Sequence, residues 1–178
     1  FIPIAEKTGL MIDIGDWVLT QACQHLKILE TRGLPESFQQ IAVNVSAIQF
    51  NQPEFVEKLF AIIQKTQINP EYLELELTES AIMAHEDVAR RTLIEFNRMD
   101  IQLAIDDFGT GYSSLSYLKR LAVDKIKIDR SFVSNLLEDD QDRCIVKAIL
   151  QMAQSLHVST VAEGIECPRV AKQLAQLG

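Results

Sequence analysis

Ile101-Gln102-Leu103-Ala104-Ile105-Asp106-Asp107-Phe108-Gly109-Thr110-Gly111-Tyr112-Ser113-Ser114-Leu115 is the stretch on which the fold turns. Its first five residues read as a buried strand. Two adjacent carboxylates at the end of such a strand are costly, because like charges repel and burial penalises each of them. A divalent cation offsets that cost most simply. Gly109 and Gly111 then let the chain turn sharply beside the carboxylates. The stretch points to metal-dependent chemistry on an α/β scaffold.

Strand-like runs alternate with helix-like segments on both sides of it. Asp13 to Arg32 has a helical period with Trp17, Val18, Ala22, Leu26 and Leu29 as its stripe, ended by Gly33 and Pro35. Ile41 to Val45 reads as a strand. Pro53 opens a helix carrying Phe55, Val56, Leu59, Ile62 and Ile63, closed near Asn69-Pro70. Tyr72 to Leu77 alternates with period two, a strand, and Glu86 to Met99 is an amphipathic helix. Ser114 to Leu121 suits a short helix, Lys125 to Ile128 a short strand, and Arg143 to Leu156 a long helix. Val158 to Ala162 is a further strand, and Pro168 begins a last helix with Val170, Leu174 and Leu177 on one face. Trp17, Phe55, Phe60 and Phe96 read as core. Five strands alternating with helices predict a mainly parallel sheet covered by helices.

The strand ends carry the polar residues. Asn44, Glu76, Asp106, Lys127 and Glu163 each lie at or just inside the C-terminal end of a different strand. In a parallel barrel those ends converge on one mouth, where active sites are assembled. A complete barrel of eight units needs about 250 residues. A chain of 178 residues is shorter, which predicts an incomplete barrel with strands before Phe1 and after Gly178.

Composition narrows the chemistry. A net charge of −8 argues against DNA, RNA polymers or an anionic membrane as the partner of the surface as a whole. Cys23, Cys144 and Cys167 are odd in number and lack metal-like spacing, so they read as reduced thiols in a cytoplasmic protein. His25, His85 and His157 follow no strand, which argues against zinc. The apolar runs are too short to span a bilayer, and any membrane anchor belongs to another part of a parent protein.

Asn and carboxylate oxygens without Cys or His suit Mg²⁺ or Mn²⁺. Asp106 can bridge two ions, with Glu76 and Asn44 on one and Asp107 and Glu163 on the other. Ions about 4 Å apart clamp the attacking and leaving oxygens of a phosphoryl displacement and activate water. Ca²⁺, larger and looser in coordination, is expected to inhibit. Ile126 and Ile128 place Lys127 on the face opposite to theirs, where it can neutralise growing phosphorane charge or orient the attacking water. An enolase-like acid/base enzyme also sets carboxylates and a lysine at strand ends, but adjacent Asp106-Asp107 suits two metals better. A two-carboxylate glycosidase needs neither the lysine nor paired metals.

These residues carry a family resemblance. Phe1-Ile2-Pro3-Ile4-Ala5-Glu6, Asn44-Val45-Ser46, Glu74-Leu75-Glu76-Leu77-Thr78-Glu79-Ser80, the ten residues from Asp106, Lys127-Ile128-Asp129 and Ala162-Glu163-Gly164-Ile165-Glu166 occur in order over essentially the whole chain. The chain resembles an EAL domain, the cyclic di-GMP phosphodiesterase family. The resemblance implies that residues 1–178 are part of a single EAL-type domain, a modified TIM (β/α)8 barrel whose first strand runs antiparallel. It implies hydrolysis of cyclic di-GMP to linear pGpG by a two-metal-activated water. It makes Asn44, Glu76, Asp106, Asp107 and Glu163 metal positions, with Lys127, Glu163 and Asp106 catalytic. Glu79 and Glu166 match glutamates that order the loop after the Asp pair, and Asp129 matches a position near substrate. A homodimer near that loop and fused GGDEF or sensory domains are implied partners; Tyr112 reads either as packing under the loop or as contacting a partner protomer. The naming Glu-Ala-Leu motif, with its metal-binding Glu, would precede Phe1, and a Gln-Gly motif would follow Gly178, so the activity is assigned to the parent domain. Some members of the family have lost metal ligands and act only as cyclic di-GMP receptors.

Overall fold

The computed structural model describes residues 1–111 and 121–178. The expected helix from Ser114 to Leu121 and the role of Tyr112 lie outside the described residues. Five strands, β1 (Ile41–Val45), β2 (Leu73–Thr78), β3 (Gln102–Phe108), β4 (Lys125–Ile128) and β5 (Ser159–Ala162), follow chain order in one sheet, with β1 and β2, β3 and β4, and β4 and β5 in parallel register. This is the α/β layout expected from the alternation of periods. The described residues form two compact units, Phe1–Leu77 with Ala81–Leu103, and Thr78–Ser80 with Ala104–Gly178. The division falls inside β3.

The first unit contains α1 (Ile2–Thr8), α2 (Leu10–Arg32), α3 (Ala47–Phe50), α4 (Phe55–Thr66), most of α5 (Glu79–Met83) and α6 (Glu86–Arg98). Its core joins Phe55 of α4 and Phe96 of α6 edge to face, 5.7 Å between ring centroids, with Leu59 and Leu93 fully enclosed. The stripe of α2 differs from the expected one. Gly15, Leu19, Cys23 and Leu26 are buried, whereas Trp17 is 64% exposed. The reason is steric. A Cβ on Gly15 would stand 2.2 Å from Gln49 Oε1, so α2 approaches its neighbour along its smallest residue, and Trp17 is about 200° further round. Phe60 is likewise 49% exposed, since Phe55, Leu59 and Ile63 face inward and Phe60 lies one step off that row. Phe55 and Phe96 are core as expected. Burial pushes the Cys23 thiol up to about 11, so this residue packs rather than reacts.

β2 departs from simple alternation in a revealing way. Leu73, Leu75 and Leu77 are buried on one face, and Glu74 and Glu76 are buried on the other. A strand of a parallel sheet is covered on both faces, so its polar positions are enclosed too.

The second unit holds α7 (Arg130–Ser134), α8 (Asp140–Leu156) and α9 (Pro168–Leu177). Val146, Ile149 and Ala153 form the buried stripe of α8, which packs on β4, β5 and α7. α8 starts three residues before its expected start because Asp139 caps it, accepting from the N–H groups of Gln141 (2.7 Å) and Asp142 (3.3 Å). The short helices α3, α5 and α7 leave no periodic signal in the sequence, since four or five residues are too few to show a period. Among the described residues no helix is long and apolar enough to cross a membrane.

Candidate active site

In the first unit Asn44 and Glu76 are register partners on β1 and β2. Alternation sets both on the face opposite Val43, Val45, Leu75 and Leu77, with Glu76 buried and Asn44 exposed. The sheet itself therefore pairs two of the expected ligands.

In the second unit the decisive feature is a bulge. Ile105 pairs with Ile126 and Phe108 with Ile128, so three steps along β3 match two along β4. Asp107 absorbs the extra residue in the left-handed region, at φ 53°. A regular strand would send neighbouring side chains to opposite faces. Here carboxylate oxygens of Asp106, Asp107 and Glu163 all lie within 4.8 Å of one another. The turn that follows holds this geometry. Thr110 donates its hydroxyl (2.8 Å) and its N–H (3.4 Å) to the Asp107 carbonyl, and the Asp107 N–H donates to Asp106 Oδ1 at 3.1 Å. Thr110 belongs to the ten-residue motif from Asp106, but the motif alone does not show that it clasps the Asp107 carbonyl.

Lys127 lies on the open side of β4, as its flanking buried isoleucines require. Its Nζ pairs with Asp106 Oδ1 at 3.0 Å and Glu163 Oε1 at 2.7 Å, and its side chain is 12% exposed. Asp129 caps α7, accepting from the Ser131 N–H at 2.9 Å and from the Ser131 hydroxyl. Those bonds hold Asp129 below the usual carboxylate range. Lost hydration, followed by the negative charges of Asp106, Asp129 and Glu163, pushes Asp107 up. Among the described residues Lys127 pairs with Asp106 and Glu163, one cation against three carboxylates.

Glu79, at the start of α5, is buried, and its Oε2 accepts from the Gly109 N–H at 3.1 Å. A Cβ on Gly111 would meet Glu79 Oε1 at 3.0 Å. The carboxylate is therefore seated against the turn after the Asp pair. Glu166 is different. It is exposed on the segment between β5 and α9 and makes no hydrogen bond to the described residues.

An all-oxygen donor set with excess negative charge suits a hard divalent cation such as Mg²⁺ or Mn²⁺. Among the described residues, Asp106, Asp107 and Glu163 are the one group of His, Cys, Asp and Glu gathered closely enough to hold an ion. The residues present fit that cofactor.

Comparison with known proteins agrees with this geometry. The EAL domain model matches residues 1–178. Over 178 residues the chain is 41% identical to the bifunctional diguanylate cyclase/cyclic di-GMP phosphodiesterase MucR of Pseudomonas aeruginosa, spanning all of this chain and 26% of that protein. The solved structure of the PaMucR phosphodiesterase in its c-di-GMP complex superposes with a TM-score of 0.95 at 41% identity, covering 100% of this chain and 71% of the other. Klebsiella pneumoniae BlrP1, in a calcium and cyclic di-GMP complex, gives a TM-score of 0.77 at 28% identity, over 94% of this chain and 41% of its own. The chain spans from 19% to 28% of the length of the curated relatives it matches. A match over every residue, with the TIM-barrel-like fold of those structures, makes this chain a member of the EAL domain family.

Proposed function

We propose that this chain belongs to a phosphodiesterase domain that hydrolyses cyclic di-GMP to linear pGpG, and that residues 1–178 act as part of that single domain. The observation that carries the reading is the bulge that gathers Asp106, Asp107 and Glu163 around Lys127. Asp106, Asp107 and Glu163, together with Asn44 and Glu76, are the residues that would hold two Mg²⁺ or Mn²⁺ ions. Such ions, when bound, supply the charge neutralisation and the strengthened water nucleophile that phosphodiester cleavage needs. A water oxygen joins phosphorus, the bond from phosphorus to the 3′ oxygen breaks, and that oxygen leaves with a proton.

The chain's own residues do the rest. Lys127, braced by Asp106 and Glu163, presents a fixed ammonium where negative charge grows on the phosphate oxygens. Glu79 holds the turn after the Asp pair, with Glu166 acting on the same loop, and Asp129 borders the substrate. Ca²⁺ inhibits in this reading, its looser coordination spreading the carboxylates. A homodimer, and further cyclase or sensory domains in the parent chain, complete the proposal. The three free thiols support a reducing, cytoplasmic setting.

The test is incubation of the full-length protein with cyclic di-GMP and Mg²⁺ or Mn²⁺, with pGpG as the product sought. Asp106→Asn abolishes its formation and Ca²⁺ suppresses it. Near-normal hydrolysis by Asp106→Asn counts against the assignment. Tight binding of cyclic di-GMP without hydrolysis by the unaltered protein favours a receptor of the same fold.

A further inference from the structure

We infer that the five-residue helix α7 is a wedge that sets the spacing between the two carboxylate-bearing strand ends, with Phe132 and Arg130 as positioning residues. The inference rests on the metal-site reading above and extends it to residues that touch no ligand. α7 lies between two glycines, one in each strand-end turn. Gly109, two residues after Asp107, has φ 98°, and a Cβ there would stand 3.0 Å from Phe132 Cε2 and 3.3 Å from Ile149 Cδ1. Gly164, directly after Glu163, has φ 70°, and a Cβ there would stand 2.7 Å from Arg130 Cβ. One side of α7 therefore sits on the backbone of the Asp106-Asp107 turn, and the other sits on the backbone of the Glu163 turn.

The wedge is itself anchored. Asp129 caps its first turn, Val133 is fully buried, and α7 packs on α8. The Glu163 N–H donates to the Ile128 carbonyl at 3.1 Å, tying the second turn to the end of β4 just ahead of α7. With no room for a Cβ at either glycine and the helix fixed beneath, neither turn can close on α7 without displacing it. Supporting groups that orient ligands are worth about 10–100-fold in metal affinity. The contact on Gly164 comes from the Arg130 Cβ and owes nothing to the guanidinium. That detail separates a steric wedge from an electrostatic helper.

The experiment strips the full-length protein of metal and titrates Mn²⁺, reading free Mn²⁺ by electron paramagnetic resonance, with thermal midpoints in chelator as a check on folding. Arg130→Ala keeps the Cβ and binds Mn²⁺ like the unaltered protein. Arg130→Gly and Phe132→Ala each weaken binding about tenfold. Gly164→Ala also weakens it, and adding Arg130→Gly restores part of the loss by removing the atom it strikes. Should Phe132→Ala fail to fold, the two Arg130 variants still decide. Binding by Arg130→Gly equal to the unaltered protein overturns the wedge, as does an equal loss in Arg130→Ala. Failure of the unaltered protein to bind Mn²⁺ overturns the metal reading itself, and the wedge with it.

Discussion

Asp107→Asn should make the metal-free protein more stable and the metal-loaded protein less so. Asp106 and Glu163 offer carboxylate oxygens within 4.8 Å of Asp107. At that distance, with the dielectric of water because Asp107 is exposed, each like pair costs about 0.9 kcal/mol. Removing the Asp107 charge from both pairs gains about 2 kcal/mol, and a domain of this size then melts about 4–8 °C higher. Mn²⁺ at a hundred times its Kd adds about 2.7 kcal/mol to the unaltered protein, and every tenfold loss of affinity removes about 1.4 kcal/mol of that. Losing this carboxylate should cost about a hundredfold or more in affinity, which leaves the variant about 2.4 kcal/mol against about 2.7 for the unaltered protein, so the melting order crosses, with the variant higher in chelator and lower in Mn²⁺.

The pH dependence has a definite sign. Asp107 is raised above its unfolded value, so the metal-free fold binds that proton more tightly than the unfolded chain does. The associated stability is complete below the ordinary carboxylate value and is lost as pH rises through the raised one. The advantage of Asp107→Asn in chelator should accordingly appear above that raised pKa and fade in acid. Differential scanning fluorimetry in chelator and in Mn²⁺, across that pH range, reads all of this. A variant that melts lower than the unaltered protein in chelator at neutral pH would refute the charge-crowding argument.

Lys127→Ala should lower turnover about 10²–10⁴-fold, with cyclic di-GMP binding still measurable by calorimetry; equal loss of both would place Lys127 in binding instead. Glu79→Leu leaves the Gly109 N–H without its acceptor, at a cost of about 1–3 kcal/mol in urea melts, and an unchanged midpoint would dismiss the brace. Leu19→Ala should cost about 2–5 kcal/mol, while Trp17→Ala stays within about 0.5 kcal/mol; the reverse order would restore the stripe read from sequence.

Much of the layout was legible because it depends on local rules. Period-two alternation marked β2, strand-like runs marked β1 and β3, Pro168 marked the start of α9, and the isoleucines beside Lys127 predicted its face. What stayed hidden depends on neighbours. The register shift in β3 exists only relative to β4, so the string Ile105-Asp106-Asp107-Phe108 by itself places the carboxylates on opposite sides. The inward face of α2 is chosen by the fit of Gly15 to Gln49, which no pattern of apolar residues encodes. Thr110 and α7 were legible only in part. Asp129 followed two residues later by Ser131 is a cap signal, yet its helix is too short for periodicity to support it.

The bulge in β3 also separates two ways of losing the proposed activity. Substituting Asp107 removes one proposed ligand and leaves the remaining strand phased as before. Deleting it shortens β3 by one residue, so that Asp106 would be followed directly by Phe108 in an uninterrupted ladder. A point change is thus a fault that one reversion repairs. The deletion would be a reframing of the strand end, shifting Gly109 and Thr110 off their partners as well, and descendants of such an event would have little route back to catalysis.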